Sequence, residues 1–172
     1  MRKLTTFAVL GAAAALLTAG PASASTHAAP KATGNIVQVA SGAPQFSTLV
    51  SLIKKAGLVK TLSGKGPFTV MAPTNAAFAK VPKATLNAIA ADKATLTKVL
   101  TYHVIAGKAP AAKVVTLSGK TAKTVEGSTI AIAVKGGKVY LNGTTQVTKT
   151  DIPASNGVIH QINGVLLPPN LG

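Results

Sequence analysis

The fifteen residues 154–168, Ala-Ser-Asn-Gly-Val-Ile-His-Gln-Ile-Asn-Gly-Val-Leu-Leu-Pro, constrain this chain more than any other stretch. They read as turn, strand, turn, strand. Asn156-Gly157 suits a tight turn at positive φ, which Asn tolerates and Gly adopts freely. Alternation after it puts Val158, His160 and Ile162 on one face and Ile159 and Gln161 on the other, with the histidine inward between two β-branched neighbours. A strand so close to the end of the chain has to pair with elements made much earlier.

What precedes it divides into two patterns. From Pro44 the spacing of Phe46, Leu49, Val50 and Ile53 predicts a helix with one apolar face, stopped at Gly57 after Lys54 and Lys55. Gly64-Lys65-Gly66-Pro67 is a turn, and Phe68 to Ala72 a short buried strand. Pro73-Thr74-Asn75 breaks that strand and starts a helix anchored by Phe78, with Thr74 or Asn75 as its cap. A further helix runs from about Pro82 or Lys83 to Ala91, turning Leu86 and Ile89 inward. Asp92 can cap the next, which carries Leu96, Val99, Leu100 and His103 at core spacings and leads through Tyr102-His103-Val104-Ile105 into extended chain. From Gly107 the pattern is β. Ile130, Ile132 and Val134 alternate with small residues, Gly136-Gly137 and Asn142-Gly143 mark hairpins, and a Thr-rich strand covers Val147 to Ile152. Helices first and hairpins second make the fold class α+β rather than alternating β-α-β.

At the other end, Arg2-Lys3, the apolar stretch from Phe7 to Leu17 and Ala22-Ser23-Ala24 form the three parts of a signal peptide over residues 1–24. The apolar core is too short for a membrane span and is followed by Gly20-Pro21. Residues 25–34, with His27, lack periodicity and read as a disordered leader; residues 35–172 are one domain. The expected location is secreted or extracellular, with association to the cell envelope compatible. An exported chain with no cysteine has no disulfide to staple it and must rely on a packed core.

Removal of Arg2 and Lys3 leaves 16 lysines, no arginine and 3 acids, a strongly cationic surface. That field favours polyanions such as acidic polysaccharide or envelope polymer. Specific nucleic-acid recognition is disfavoured, because it exploits the bidentate guanidinium fork and aromatic stacking. The five aromatics after residue 24, Phe46, Phe68, Phe78, Tyr102 and Tyr140, do not interleave with lysines. Gly64-Lys65-Gly66 lacks the spacing and the strand-loop-helix order of a phosphate loop.

Catalysis finds little to work with. Asp92 reads as a cap and Glu126, before Gly127-Ser128, as a turn residue, so no carboxylate pair remains for acid–base work. Asp151, Ser155 and His160 are the least implausible triad, but they fall within ten residues across a turn, with no nucleophile elbow and with His160 facing the core. The favoured reading of His103 and His160 is a buried imidazole satisfied by hydroxyl or backbone, tying helix to sheet. No metal spacing and no cofactor motif is present.

Two blocks resemble the motifs of the fasciclin-type (FAS1) domain: Gly66-Pro-Phe-Thr-Val-Met-Ala-Pro-Thr-Asn-Ala-Ala-Phe78 and Ser155-Asn-Gly-Val-Ile-His-Gln-Ile162, with Tyr102-His103 between them where that family has its Tyr-His element. The likeness covers roughly residues 35–171 and is closest to the small single-domain bacterial members. It implies a β-sandwich or wedge with several helices packed against it, and a non-enzymatic adhesion module that binds an extracellular protein or glycan surface. It also implies partner contacts at Tyr102, His103, Asp151 and Ile152, and a structural motif of Thr74, Asn156, Gly157 and His160. The chain departs from the pattern at Asn163, where the family commonly has Asp, so a role tied to that carboxylate is not carried over. The alternative kept beside adhesion is a Lys-rich polyanion-binding protein acting by charge.

Overall fold

The computed structural model describes residues 34–171; the expected signal peptide 1–24 and the leader up to residue 33, including His27, lie outside the described residues. Asn35 caps the first helix. Its side chain accepts from the Gln38 N–H at 2.9 Å, and the Gln38 side chain accepts from the Asn35 N–H at 2.9 Å. This reciprocal cap starts α1 (Ile36–Ser41), which is too short for its periodicity to show in the sequence. A 3-10 turn (Pro44–Phe46) leads into α2 (Ser47–Ala56), whose buried face is Leu49, Val50, Ile53 and Ala56. Then come α3 (Val59–Ser63), β1 (Phe68–Pro73), α4 (Asn75–Ala79), α5 (Lys83–Ala91) and α6 (Lys93–Tyr102). Thr74, not Asn75, caps α4, accepting from the Ala77 N–H at 3.2 Å. Asp92 caps α6 through the Ala94 and Thr95 N–H groups, both at 3.1 Å.

The second half holds β2 (Val104–Ala106), α7 (Ala111–Thr116), β3 (Lys120–Lys123), β4 (Thr129–Lys135), β5 (Lys138–Leu141), β6 (Thr145–Ala154) and β7 (Gly157–Ile162). The β4–β5 and β5–β6 hairpins turn on Gly136-Gly137 and Asn142-Gly143, all four at φ between 50° and 74°. Helix α7 corrects the expectation of continuous β structure after Gly107. Val114-Val115-Thr116 is β-branched and reads as strand, but Val114 is drawn into the core and the Asp151 carboxylate accepts from the Ala111 N–H at 2.8 Å, capping the helix from a distant strand.

The strands form a mixed sheet in the order β2-β1-β7-β6-β5-β4-β3. β7 lies parallel to β1, with Met71 opposite His160, and antiparallel to β6. This position overturns the expected one-sided alternation: Ile159, His160 and Ile162 are all within 1% of complete burial. Ile159 packs with α1, α2 and α6, while Ile162 packs with Met71, Ile130, Ile132 and Leu141 in a second cluster across the sheet. A central strand flanked by a parallel neighbour is covered on both faces, so its sequence is apolar on both. The strand expected after Asn163-Gly164 is also absent, since Pro168-Pro169 cannot donate to a ladder and the Leu166 N–H is taken by His103.

Strand β6 slips register between Val147 and Lys149 and again between Lys149 and Ile152. Bulges of this kind sharpen twist. The sheet curls until its outer strands nearly meet, at a single Ile105–Thr124 bridge and a 2.8 Å bond from the Val125 N–H to the Val104 carbonyl. The result is the expected α+β wedge, with helices over one cluster and the curled sheet around the other.

Candidate functional site

The segment joining β6 to β7 works as a clasp. Asn156 Oδ1 accepts from the Ile36 N–H at 2.9 Å, and its Nδ2 donates to the carbonyls of Leu62 at 2.7 Å and Gly64 at 2.9 Å. Its own carbonyl accepts from the Phe68 N–H at 3.0 Å. One side chain therefore joins the start of α1, the end of α3 and the approach to β1. The chain turns at Ser155-Asn156, between the paired Ala154 and Gly157, but neither Asn156 nor Gly157 has positive φ, which corrects the positive-φ Asn-Gly conformation expected there. Gly157 is required for a different reason: a Cβ on it would stand 1.9 Å from the Phe68 carbonyl oxygen. Asn156→Ala leaves a half-buried N–H and two carbonyls without partners, and is expected to destabilise the domain by about 2 kcal/mol. Urea unfolding checks this, with Asn156→Asp as a second variant that keeps the acceptor and loses the two donors.

Both histidines are consumed by backbone. The His160 Nε2–H donates to the Ala109 carbonyl at 2.7 Å and Nδ1 accepts from the Asp151 N–H at 3.3 Å, the tautomer that satisfies both contacts. Sequence reading missed the partner that holds the other side of Ala109. Thr69 is fully buried, accepts from the Ala109 N–H at 2.8 Å and donates to the Gly107 carbonyl at 2.7 Å. A threonine between Phe68 and Val70 looks like ordinary strand composition, so its isolated hydroxyl in an apolar run was the one available signal. His103 donates from Nδ1–H to the Val99 carbonyl at 2.7 Å and accepts at Nε2 from the Leu166 N–H at 2.9 Å. Burial pushes its pKa down to about 4, against a smaller upward pull from the Val99 carbonyl.

The considered triad is not assembled. Asp151 meets His160 through its backbone N–H, its carboxylate turned to Ala111, and neither imidazole nitrogen is left to activate the Ser155 hydroxyl. Asp92 is held below the usual carboxylate range by the Thr95 hydroxyl and then by the capped N–H groups; Glu126 is held low in the same way by Ser128. Among the described residues no three His, Cys, Asp or Glu side chains gather in a metal-sized group, and no helix is long and apolar enough to cross a membrane.

The expected partner residues separate. The corner at Tyr102-His103 is buried rather than exposed, at 1% and 2% accessibility. The Tyr102 hydroxyl donates to the Thr129 carbonyl at 3.2 Å and accepts from Asn142 Nδ2 at 3.0 Å. By contrast Asp151 is exposed at a φ of 55°, at the tip of the β6 bulge, and Ile152 is half-buried against the helical cluster. Asn163, the departure from the family pattern, accepts from the Gln146 N–H through Oδ1 at 2.9 Å, a bond that a carboxylate oxygen would also make.

Residues 44–168 match the Fasciclin domain family model. Protein sll1483 of Synechocystis sp. is 48% identical over 146 residues, covering 84% of this chain and 79% of that protein. Immunogenic protein MPB70 of Mycobacterium bovis is 33% identical, covering 78% of this chain and 69% of its own. Transforming growth factor-beta-induced protein ig-h3 of Sus scrofa is 35% identical over 79% of this chain, which spans only 20% of that longer protein. Among solved structures, a FAS1 domain pair from the insect cell adhesion molecule fasciclin I superposes with a TM-score of 0.65 at 18% identity, over 80% of this chain and 52% of that one, and so shares the fold. With the family model spanning both clasp blocks, this chain belongs to the fasciclin-domain family.

Proposed function

We propose that this chain is an exported, non-enzymatic adhesion module that binds an extracellular protein or glycan surface in the matrix or at the cell envelope. The family supports this reading, as does a structural neighbour that is a cell adhesion molecule. The observation that carries it is the β6 bulge. Lys149, Thr150 and Asp151 are displayed on the outside of the fold, and the bulge is braced from within by His160 and from the side by Ala111. A presented, pre-ordered loop loses little freedom on binding. His160, in this view, serves the loop and not a reaction.

Retention of the purified protein on envelope and matrix fractions tests the proposal. Asp151→Asn keeps a residue that tolerates positive φ and a side-chain oxygen for Ala111 while removing the charge. Retention is expected to survive ~1 M salt, because a carboxylate contact buried against the partner is screened far less than exposed charge pairs, and to fall at least about fivefold in the variant. The lysine excess supports the second reading, binding by charge alone. Retention that collapses with salt, equally on heparin and nucleic acid, and ignores Asp151→Asn would establish that reading instead. Hydrolase activity lost in Ser155→Ala would displace both.

A further inference from the structure

The curl of the sheet leaves a seam. β2 has three residues and β3 four, and beyond the Ile105–Thr124 bridge they share no ladder. Helix α7 lies alongside, and between them is a cavity of about 200 Å³. Ile105, Val114 and Ile132 are buried residues of its wall, and Lys108, Lys113 and Lys123 are its exposed rim. Every lining side chain is aliphatic or lysine, and none of the three acids in the described residues lines it.

From this we infer that the seam binds a short single-chain carboxylate, a medium-chain fatty acid with its tail between β2, β3 and α7 and its head among the three lysines. Size and chemistry select that occupant. The cavity is below the ~300–1,000 Å³ of sites for drug-sized ligands, so ring cofactors do not fit. A methylene takes up a little less than the ~30 Å³ share of a liquid water, which gives room for roughly seven carbons. Sugars need hydroxyl, amide or aromatic partners, and the wall supplies none of these side chains. An aliphatic tail matches the wall, and three ammonium groups without a neighbouring lining carboxylate match an anionic head. Lysine stems also extend the apolar surface while their charges stay in water. The inference goes beyond the adhesion reading and does not depend on it: the seam and the Asp151 bulge are lined by different residues.

Sodium octanoate and 1-octanol, titrated into the full mature protein and followed by calorimetry and amide chemical shifts, test the inference. Octanoate is expected to saturate one site with Kd below about 1 mM, shifting the Ile105, Val114 and Ile132 amides, while the alcohol binds at least about tenfold more weakly. Lys108→Gln, Lys113→Gln and Lys123→Gln combined change only exposed side chains and are expected to weaken octanoate at least about tenfold at an unchanged Tm. Equal binding of alcohol and carboxylate, equal binding by the triple variant, or shifts elsewhere would overturn it. Binding to vesicles of mixed phosphatidylglycerol and phosphatidylcholine without saturable octanoate binding would overturn it too, assigning the lysines to a membrane surface.

Discussion

Gly157→Ala is expected to cost more than about 4 kcal/mol, a large share of the ~5–15 kcal/mol that holds an ordinary domain together. The added Cβ would lie 1.9 Å from the Phe68 carbonyl oxygen, 2.8 Å from its carbon and 3.0 Å from its nitrogen. All three are backbone atoms of a central strand, so no side chain can swing aside. Relief requires moving β7 off β1, which strains their parallel ladder and the 3.0 Å bond from the Phe68 N–H to Asn156. Gly66 faces the same junction from the other side, where an added Cβ would lie 1.9 Å from the Asn156 carbonyl oxygen. The control is Gly136→Ala, where φ is 56° but nothing lies within 4 Å. There only the left-handed backbone is penalised, by about 1 kcal/mol. Urea unfolding of the two variants separates close approach from backbone strain. Equal losses would mean that the β1–β7 junction gives way cheaply.

The same comparison shows where the sequence was legible. Asn-Gly occurs three times between expected strands, and local chemistry cannot tell the first two apart. Asn142-Gly143 is a positive-φ turn, whereas Asn156-Gly157 is a junction where one side chain ties three elements and one missing Cβ admits another strand. The partners that make the difference, Ile36, Leu62, Gly64 and Phe68, are at least 88 residues away in sequence. Local periodicity did well where a single face decides the element, as in α2 and in the β4–β5 hairpin. It failed for β7, whose burial on both faces follows from its place between β1 and β6, and for α7, whose cap comes from Asp151. Core spacing through Leu96, Val99, Leu100 and His103 was a better guide to burial than the resemblance, which placed Tyr102-His103 at a partner-facing corner. The bulge geometry that presents Asp151 depends on two register slips, and register is a property of paired strands that no single strand's composition contains.

Stability is expected to be level above about pH 7 and to fall by about 3 kcal/mol as the pH drops to about 4, with His103 as the cause. In the unfolded chain its imidazole takes a proton near 6.5; in the folded domain it does so only near 4, because the ring is fully buried. Between those values the unfolded state binds a proton that the folded state refuses, so every step down in pH favours unfolding. The geometry explains the refusal. Nδ1 already donates to Val99, so a new proton would go to Nε2, where the Leu166 N–H now points, setting donor against donor inside the core. Acid should therefore first free the segment after Ile162, which this bond fastens to the end of α6. Asp92 and Glu126 do not confuse the test, since both are held below their ordinary 3.8 and 4.5, and what they contribute is lost only as the pH falls through that lower range. Urea midpoints from pH 8 to pH 5 isolate the histidine. His103→Gln keeps a donor and an acceptor but cannot titrate, and is expected to flatten the curve over that range at some cost in absolute stability. A slope that survives in His103→Gln would remove His103 as its source, and amide exchange at Leu166 that stays protected as the wild type passes below pH 6 would refute the release of that segment.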